Sequence, residues 1–205
     1  MKIIELENVY KKYNKKIILN KINYAFEQGK CYLIVGENGS GKTTLLKAIL
    51  SLINISGVIK KEKLTIGYIP DSLSFPEYVT VYSFLYNVGL IKKVKPQKIK
   101  IFLDIVLKEW DLYKCKNQKI KELSKGMKQK VLILQSMMNN PSVYIFDEAL
   151  NGLDFNMQIK LIDFIKTMKE NNKTIIITSH YVNMYKEIVD KMLIIKDGEI
   201  NESFN

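Results

Sequence analysis

Residues 31–44 read CYLIVGENGSGKTT, and this stretch determines the fold. Its first five residues form an uninterrupted apolar run of the length and composition of a buried strand. A glycine-rich segment follows, and beyond it an apolar stripe recurs at helical spacing, formed by Leu45, Leu46, Ile49, Leu50 and Ile53. A strand, a glycine-rich loop and an amphipathic helix in direct succession predict the start of an α/β order.

The flanking segments continue this order. Alternating or apolar stretches predict strands at residues 3–6 and 22–26 before the loop, with a turn at Gln28-Gly29. Strands are also predicted at residues 66–69, 143–146, 174–178 and 192–195, the last followed by a turn at Asp197-Gly198. Helical periodicity dominates residues 80–123, where Pro96 opens one helix, and it recurs around residues 131–135 and 159–165.

Length and composition favour one domain spanning residues 1–205, because 47% hydrophobic content is sufficient for a core. Cys31 and Cys115 lie far apart without metal-ligand spacing, which indicates reduced thiols in a cytosolic protein. No apolar stretch reaches the roughly 18–20 residues of a membrane-spanning helix, and the lysine-rich N-terminus has no export signal. Any role at a membrane is therefore expected to need a partner.

The formal net charge of +11 raises the question of a nucleic-acid partner, because cations gain affinity by releasing counterions from phosphates. All 32 basic residues are lysine, however, and arginine is the residue whose planar fork reads guanine and clamps phosphate. We expect a solvated basic surface and no specific nucleic acid. Attraction to an anionic membrane face is compatible with the same charge.

The glycine-rich loop matches the P-loop (Walker A) pattern in the strand and helix context that the motif requires. Gly39 and Gly41 let the backbone N–H groups turn inward, where the positive end of the following helix also attracts phosphate. Lys42 is predicted to balance β- and γ-phosphate charge, and Thr43 to offer its hydroxyl to Mg²⁺. The predicted ATP-binding residues of this segment are Gly36, Glu37, Asn38, Gly39, Ser40, Gly41, Lys42, Thr43 and Thr44.

Two adjacent carboxylates, Asp147 and Glu148, follow the apolar run of residues 143–146. Ligands of open α/β sheets bind at the carboxyl ends of the strands. Asp147 is predicted to bind Mg²⁺ through its water shell, and Glu148 to orient or deprotonate the attacking water. Adjacent acids also occur in solvated turns, but their combination with a P-loop favours the catalytic interpretation.

Together these motifs resemble those of the nucleotide-binding subunits of ABC transporters, over essentially the whole chain. Leu123-Ser124-Lys125-Gly126-Met127 is similar to the family's signature motif, residues 151–154 (NGLD) to its D-loop, and Thr178-Ser179-His180 to its switch region. The resemblance implies that Ser124, Lys125 and Gly126 act on ATP bound to a second ATP-binding subunit in a head-to-tail dimer, with Asp154 at the interface.

The resemblance assigns further roles. His180, the single histidine, is implied to sense the γ-phosphate and to act in catalysis with Glu148 and Lys42. Tyr13 is implied to stack on adenine, with Tyr10 as a rival. Asp71 stands where glutamine is usual; its carboxylate still accepts from a metal-bound water but loses the amide donor, so Mg²⁺ contact at Asp71 is a hypothesis.

Other departures affect neighbouring motifs. Lys125 and Met127 stand where glycine and glutamine are commonest, a variation similar to that of exporters for peptides and drugs. Ala149 replaces a common proline, which loosens the turn after Glu148, and the sheet segment between Leu52 and Ile66 is expected to be shortened.

The resulting prediction is an α/β P-loop NTPase core with a mainly parallel sheet, a small N-terminal antiparallel β-subdomain and an inserted helical subdomain at about residues 72–123. Its predicted function is ATP hydrolysis that powers a separate transmembrane permease subunit, at the cytoplasmic face of the cell membrane. The exported cargo is expected to be peptide- or drug-like. Two alternatives are a soluble ABC ATPase acting on ribosomes or nucleic acid, for which the charge is the main support, and a regulatory subunit that binds ATP without hydrolysing it.

Overall fold

A computed structural model describes residues 1–71 and 74–203, arranged as two sheets with helices packed on them. Residues 72 and 73, where the inserted helical subdomain was predicted to begin, lie outside the described residues. Within these described ranges, no helix combines the length and apolar composition that crossing a membrane requires.

The smaller sheet is antiparallel and lies at the N-terminus, as predicted. It contains β1 (Lys2–Tyr13), β2 (Lys16–Glu27) and β4 (Ser56–Lys61) in the order β2-β1-β4. Strands β1 and β2 are each more than twice as long as the predicted segments, because apolar and polar residues alternate regularly in only part of each strand. Strand β4 occupies the segment expected to be shortened; its side chains are almost all exposed, so no hydrophobic pattern marks it.

The larger sheet has six strands in the order β5-β6-β7-β3-β8-β9. They are β3 (Cys31–Val35), β5 (Ile66–Ile69), β6 (Val143–Asp147), β7 (Thr174–Thr178), β8 (Lys191–Lys196) and β9 (Glu199–Ser203). All neighbours are parallel except β8 and β9, so the prediction of a mainly parallel sheet is confirmed. Because β7 lies between β3 and β6, the loops after these three strands meet at one edge.

The helices cover both faces of this sheet. They are α1 (Lys42–Ile49), α2 (Val81–Ile91), α3 (Pro96–Glu109), α4 (Lys125–Met137), α5 (Phe155–Glu170) and α6 (Val182–Tyr185), with short 3₁₀ turns at Tyr113–Cys115 and Ile120–Glu122. In one buried cluster, α1 packs against the smaller sheet. In a second, the four helices α2, α3, α4 and α5 pack against the opposite face of β6 and β7. The two clusters fix the strand ends that form the site.

Candidate functional site

The glycine-rich loop connects β3 to α1, as its sequence predicts. Gly41 caps α1 with φ of 111°, a conformation that side-chain-bearing residues rarely adopt. A Cβ atom at Gly41 would also lie 2.8 Å from the carbonyl oxygen of Ile18. Glycine at this position therefore brings the loop close to β2 and turns the start of α1 toward the cavity.

The ammonium group of Lys42 is held across this loop. Its Nζ donates to the carbonyl of Gly36 at 2.7 Å and to that of Glu37 at 3.2 Å, and the residue is buried. These bonds keep a positive charge over a loop of backbone donors, which suits a phosphate chain.

A cavity of about 460 Å³ opens in front of the loop. It brings together half of the predicted site residues, and its lining comprises Ile18, Asn38, Gly39, Gly41, Lys42, Thr43, Thr44, Asp71, Glu148, Asn151 and His180. Gly36, Glu37 and Ser40 instead line an adjoining groove with Ile18 and Gly39. Sequence reasoning gave no role to Ile18, since an apolar strand residue does not signal a site by itself, and it placed Asn151 only within the D-loop segment.

Asp147 lies buried beneath this cavity at the end of β6. Its Oδ1 accepts from the hydroxyl of Thr178 at 2.6 Å and from that of Thr43 at 3.1 Å. Burial raises the pKa of the Asp147 carboxyl, while the two hydroxyl hydrogen bonds oppose this shift. Its second oxygen, Oδ2, is buried without a hydrogen-bond partner among the described residues.

This arrangement fits a magnesium ion. Mg²⁺ takes hard oxygen ligands and usually binds through one or two protein groups together with water and phosphate. The Thr43 hydroxyl and the free Oδ2 of Asp147 supply such oxygens. In the described part of the chain no three His, Cys, Asp or Glu side chains form a metal cluster.

Glu148 follows in a left-handed conformation, with φ of 50°. Its backbone N–H donates to the carbonyl of Thr178 at 3.0 Å, which fixes the turn against β7. Both carboxylate oxygens are buried without a hydrogen-bond partner among the described residues, although Nε2 of His180 lies 3.2 Å from Oε1. Burial raises the pKa of Glu148, and the proximity of His180 and Lys42 opposes the rise.

Asp71 follows β5 and lines the same cavity. Its Oδ1 accepts from the side-chain amide of Asn151 at 3.3 Å. The amide donor that Asp71 lacks is therefore provided by a neighbouring residue. Contact between Asp71 and a metal remains a prediction.

Tyr13, the predicted adenine-stacking residue, lies outside the cavity lining. It ends β1, is 47% exposed, and has the ammonium of Lys11 5.0 Å from its ring centroid. Ile18, five residues later, lines the cavity. Adenine stacking on Tyr13 stays a prediction.

Ser124 of the signature segment and Asp154 of the D-loop segment lie at the starts of two helices, outside the cavity lining. Ser124 caps α4 by accepting from the N–H of Met127 at 3.2 Å, and Asp154 caps α5 by accepting from that of Met157 at 3.0 Å. Lys125 lines a separate depression with Asp71 and Gln129. Action of Ser124, Lys125, Gly126 and Asp154 across a dimer interface remains a prediction from the resemblance.

The P-loop follows β3, and the two carboxylates lie at the end of β6, with β7 between these two parallel strands. This arrangement defines a P-loop ATPase of the α/β class. A model of the family "ABC transporter" matches residues 19–151, which is more than half of the chain. The chain belongs to this family, as an ATP-binding domain with ATPase activity. The predictions of fold class, family and ATP hydrolysis are thereby confirmed.

Comparison with individual relatives gives the same family. The chain is 37% identical over 196 residues to the zinc import ATP-binding protein ZnuC of Wigglesworthia glossinidia brevipalpis, covering 93% of this chain and 82% of that one. It is 31% identical to the bacitracin transport ATP-binding protein BcrA of Enterococcus faecalis, covering 99% and 69%. The chain spans 75%, 65% and 60% of the length of three further curated ABC transporter ATP-binding relatives that it matches.

Among solved structures, the chain superposes on a dimeric ATP-binding cassette in a post-hydrolysis state bound to ADP and Pi. The TM-score is 0.85 at 26% identity, and the match covers 98% of each chain.

Proposed function

We propose that the chain hydrolyses ATP to power a separate transmembrane permease subunit, and that the transport direction is export of peptide- or drug-like cargo. The observation that carries the proposal is the convergence of four side chains on one cavity, those of Lys42, Thr43, Glu148 and His180, with Asp147 bonded to Thr43 beneath it. Positioning and charge stabilisation are the main sources of catalysis in phosphoryl transfer.

In this mechanism the residues of the glycine-rich loop bind the phosphate chain of ATP through their N–H groups. Lys42 balances the charge on the β- and γ-phosphates, and His180 contacts the γ-phosphate. Glu148 orients a water molecule and accepts its proton as the water oxygen bonds to the γ-phosphorus and the bond to ADP breaks. Glu148 lines the cavity, and Nε2 of His180 lies 3.2 Å from its Oε1, so the carboxylate lies beside the group assigned to the γ-phosphate.

Thr43, Asp147 and Asp71 would hold the Mg²⁺ ion, which supplies charge neutralisation at the phosphate oxygens when bound. The unpaired Oδ2 of Asp147 supports this assignment.

Two copies, or this chain and a related one, form a head-to-tail dimer in our proposal. Ser124, Lys125 and Gly126 of one subunit then complete the ATP site of the other, with Asp154 at the interface. Support comes from the position of these residues outside their own chain's cavity lining and from the dimeric state of the similar ATP-binding cassette. Closing and reopening of such an interface is an output that a membrane partner can use.

The export direction rests on residues 125–127 (KGM), which resemble signature variants of exporters. The relatives' names include both bacitracin transport and zinc import, so transport direction needs a direct measurement. The site of action that follows from the proposal is the cytoplasmic face of the cell membrane.

The first test is a detergent pull-down of the tagged chain from membranes of its own cells. A stoichiometric polytopic membrane protein is the expected partner. Ribosomal proteins or nucleic acid without such a partner would contradict the proposal and favour the soluble alternative suggested by the charge of +11.

The second test uses inside-out vesicles that contain the captured partner and this chain, with ATP outside. ATP-dependent uptake of labelled bacitracin that is lost in the Glu148→Gln variant supports export. ATP-dependent accumulation of labelled zinc by right-side-out vesicles loaded with ATP would contradict it.

A further inference from the structure

The turn that carries Glu148 is held in a conformation its own sequence does not favour. Left-handed φ is costly for a residue with a Cβ atom and persists only where surrounding contacts impose it. On the side of β7, the backbone N–H of Glu148 is bonded to Thr178. On the other side comes Ala149, whose φ is not restrained by a ring as that of proline would be.

On this second side the backbone N–H of Asn151 donates to the carbonyl of Glu148 at 3.0 Å, and a further contact comes from α4. The side-chain amide of Gln129 donates to the carbonyl oxygen of Ala149 at 3.0 Å, and Gln129 is only 7% exposed. Breaking this hydrogen bond is expected to be costly, because it would leave a buried amide or a buried carbonyl without a partner. Gln129 therefore fixes the peptide that joins Ala149 to Leu150, one residue beyond Glu148.

The first turn of α4 also packs on the loop that follows Glu148. The side chain of Lys125 covers Gly152, where an added Cβ would lie 2.9 Å from the Lys125 Cε. An added Cβ at Gly126 would lie 3.4 Å from the carbonyl oxygen of Gly152. The start of α4 therefore contacts the loop of residues 148–152 at two positions along the helix, near Gly126 and at Gln129.

We propose that Gln129 is a positioning residue for Glu148, and that it makes the start of α4 and the catalytic turn one rigid unit. The inference rests on the proposed function, because it assumes that Glu148 acts on the attacking water. A displacement of Ser124 or Gly126 on contact with a second subunit then reaches Glu148 through Gln129, without a change at the glycine-rich loop.

The test compares steady-state ATP hydrolysis by the full chain and its Gln129→Met variant, which keeps side-chain length but removes the donor. We expect kcat to fall about 10- to 100-fold, because small displacements of a catalytic group are costly. KM for ATP should stay within about threefold, since the glycine-rich loop is untouched. If Gln129→Met does not fold, Gln129→Asn, which is one methylene shorter, makes the same comparison.

Gln158→Met is the matched control. Gln158 on α5 donates to the carbonyls of Leu150 and Leu153 at 3.4 and 3.3 Å. Its replacement therefore removes an amide donor from the same loop, but at carbonyls two or more residues from Glu148. Its kcat should stay near that of the unmodified chain. Equal kcat for the two methionine variants would overturn the proposal.

A double variant separates positioning from a general structural effect. In a Glu148→Gln background, Gln129→Met should lower kcat little further, because the group it positions is gone. A full additional loss would show that Gln129 acts elsewhere. Retained turnover in Glu148→Gln alone would instead refute the role of Glu148, and so the proposed function, before Gln129 is considered.

Discussion

Replacing Glu148 by glutamine should have opposite effects on turnover and on stability. Glutamine has nearly the same shape, but it cannot accept a proton from water. A positioned general base contributes about 10²- to 10⁴-fold to rate, which corresponds to about 3–5 kcal/mol of activation free energy. Because Glu148 lines the same cavity as Lys42 and His180, we expect the loss in kcat to be at least about 100-fold.

The stability effect follows from burial. Burial raises the pKa of Glu148, so its ionised form disfavours the folded state at neutral pH. A neutral amide removes that penalty, and the melting temperature of Glu148→Gln should therefore be higher than that of the unmodified chain. An active-site carboxylate held at a cost to stability is expected to behave in this way.

The assay measures phosphate release, ATP affinity and thermal unfolding on the same preparations, with size-exclusion chromatography in ATP and Mg²⁺. ATP affinity should be retained, and an ATP-bound dimer should accumulate. Glu170→Gln, an exposed acid at the end of α5, is the control and should change none of these quantities. Turnover within about threefold of the unmodified chain would refute the role of Glu148, and a lowered melting temperature would refute the reasoning from burial.

Three further predictions concern other residues. Lys42→Ala should lose nucleotide binding in an equilibrium titration, because it removes the ammonium held over the glycine-rich loop, whereas Lys47→Ala on the exposed face of α1 should bind normally. Asp71→Gln should change the Mg²⁺ concentration needed for half-maximal hydrolysis, and an unchanged value would contradict metal contact at Asp71. Burial lowers the pKa of Lys92 from 10.5 to about 8, so the unfolded chain binds more protons between these pH values and stability should rise with pH there. Lys92→Met should stabilise the fold at pH 7 by about 2 kcal/mol, allowing for its lost bond to the Gln135 carbonyl, and urea denaturation should show this gain shrinking toward pH 10.

The sequence predicted those parts of the fold that local patterns encode. The apolar runs of β3, β6 and β7 are buried along almost their whole length, so composition alone marks them. The glycine-rich loop that starts at Gly36 and the acids at 147 and 148 follow those runs directly, which placed them at strand ends without any knowledge of the fold. Strand β4 was missed because pairing with β1, and not burial, makes it a strand.

The meeting of distant groups required strand order, which local patterns do not contain. Glu148 is bonded to Thr178 because β6 and β7 are neighbours, and β7 also separates β6 from β3. The pairing of Asp71 with Asn151 joins residues 80 positions apart. Sequence reasoning identified the residue type at each strand end, while packing of helices on both faces decided which ends lie together.

Gln129 shows why a positioning residue is hard to find from sequence. It lies between Lys128 and Lys130, in a segment that composition alone would place in solvent. Its burial is possible because one carbonyl, that of Ala149, satisfies its amide. A polar residue at a core position breaks the local pattern, and such breaks occur where function constrains the structure. Since the partner carbonyl lies 20 residues away on another element, only the assembled fold distinguishes Gln129 from the exposed polar residues around it.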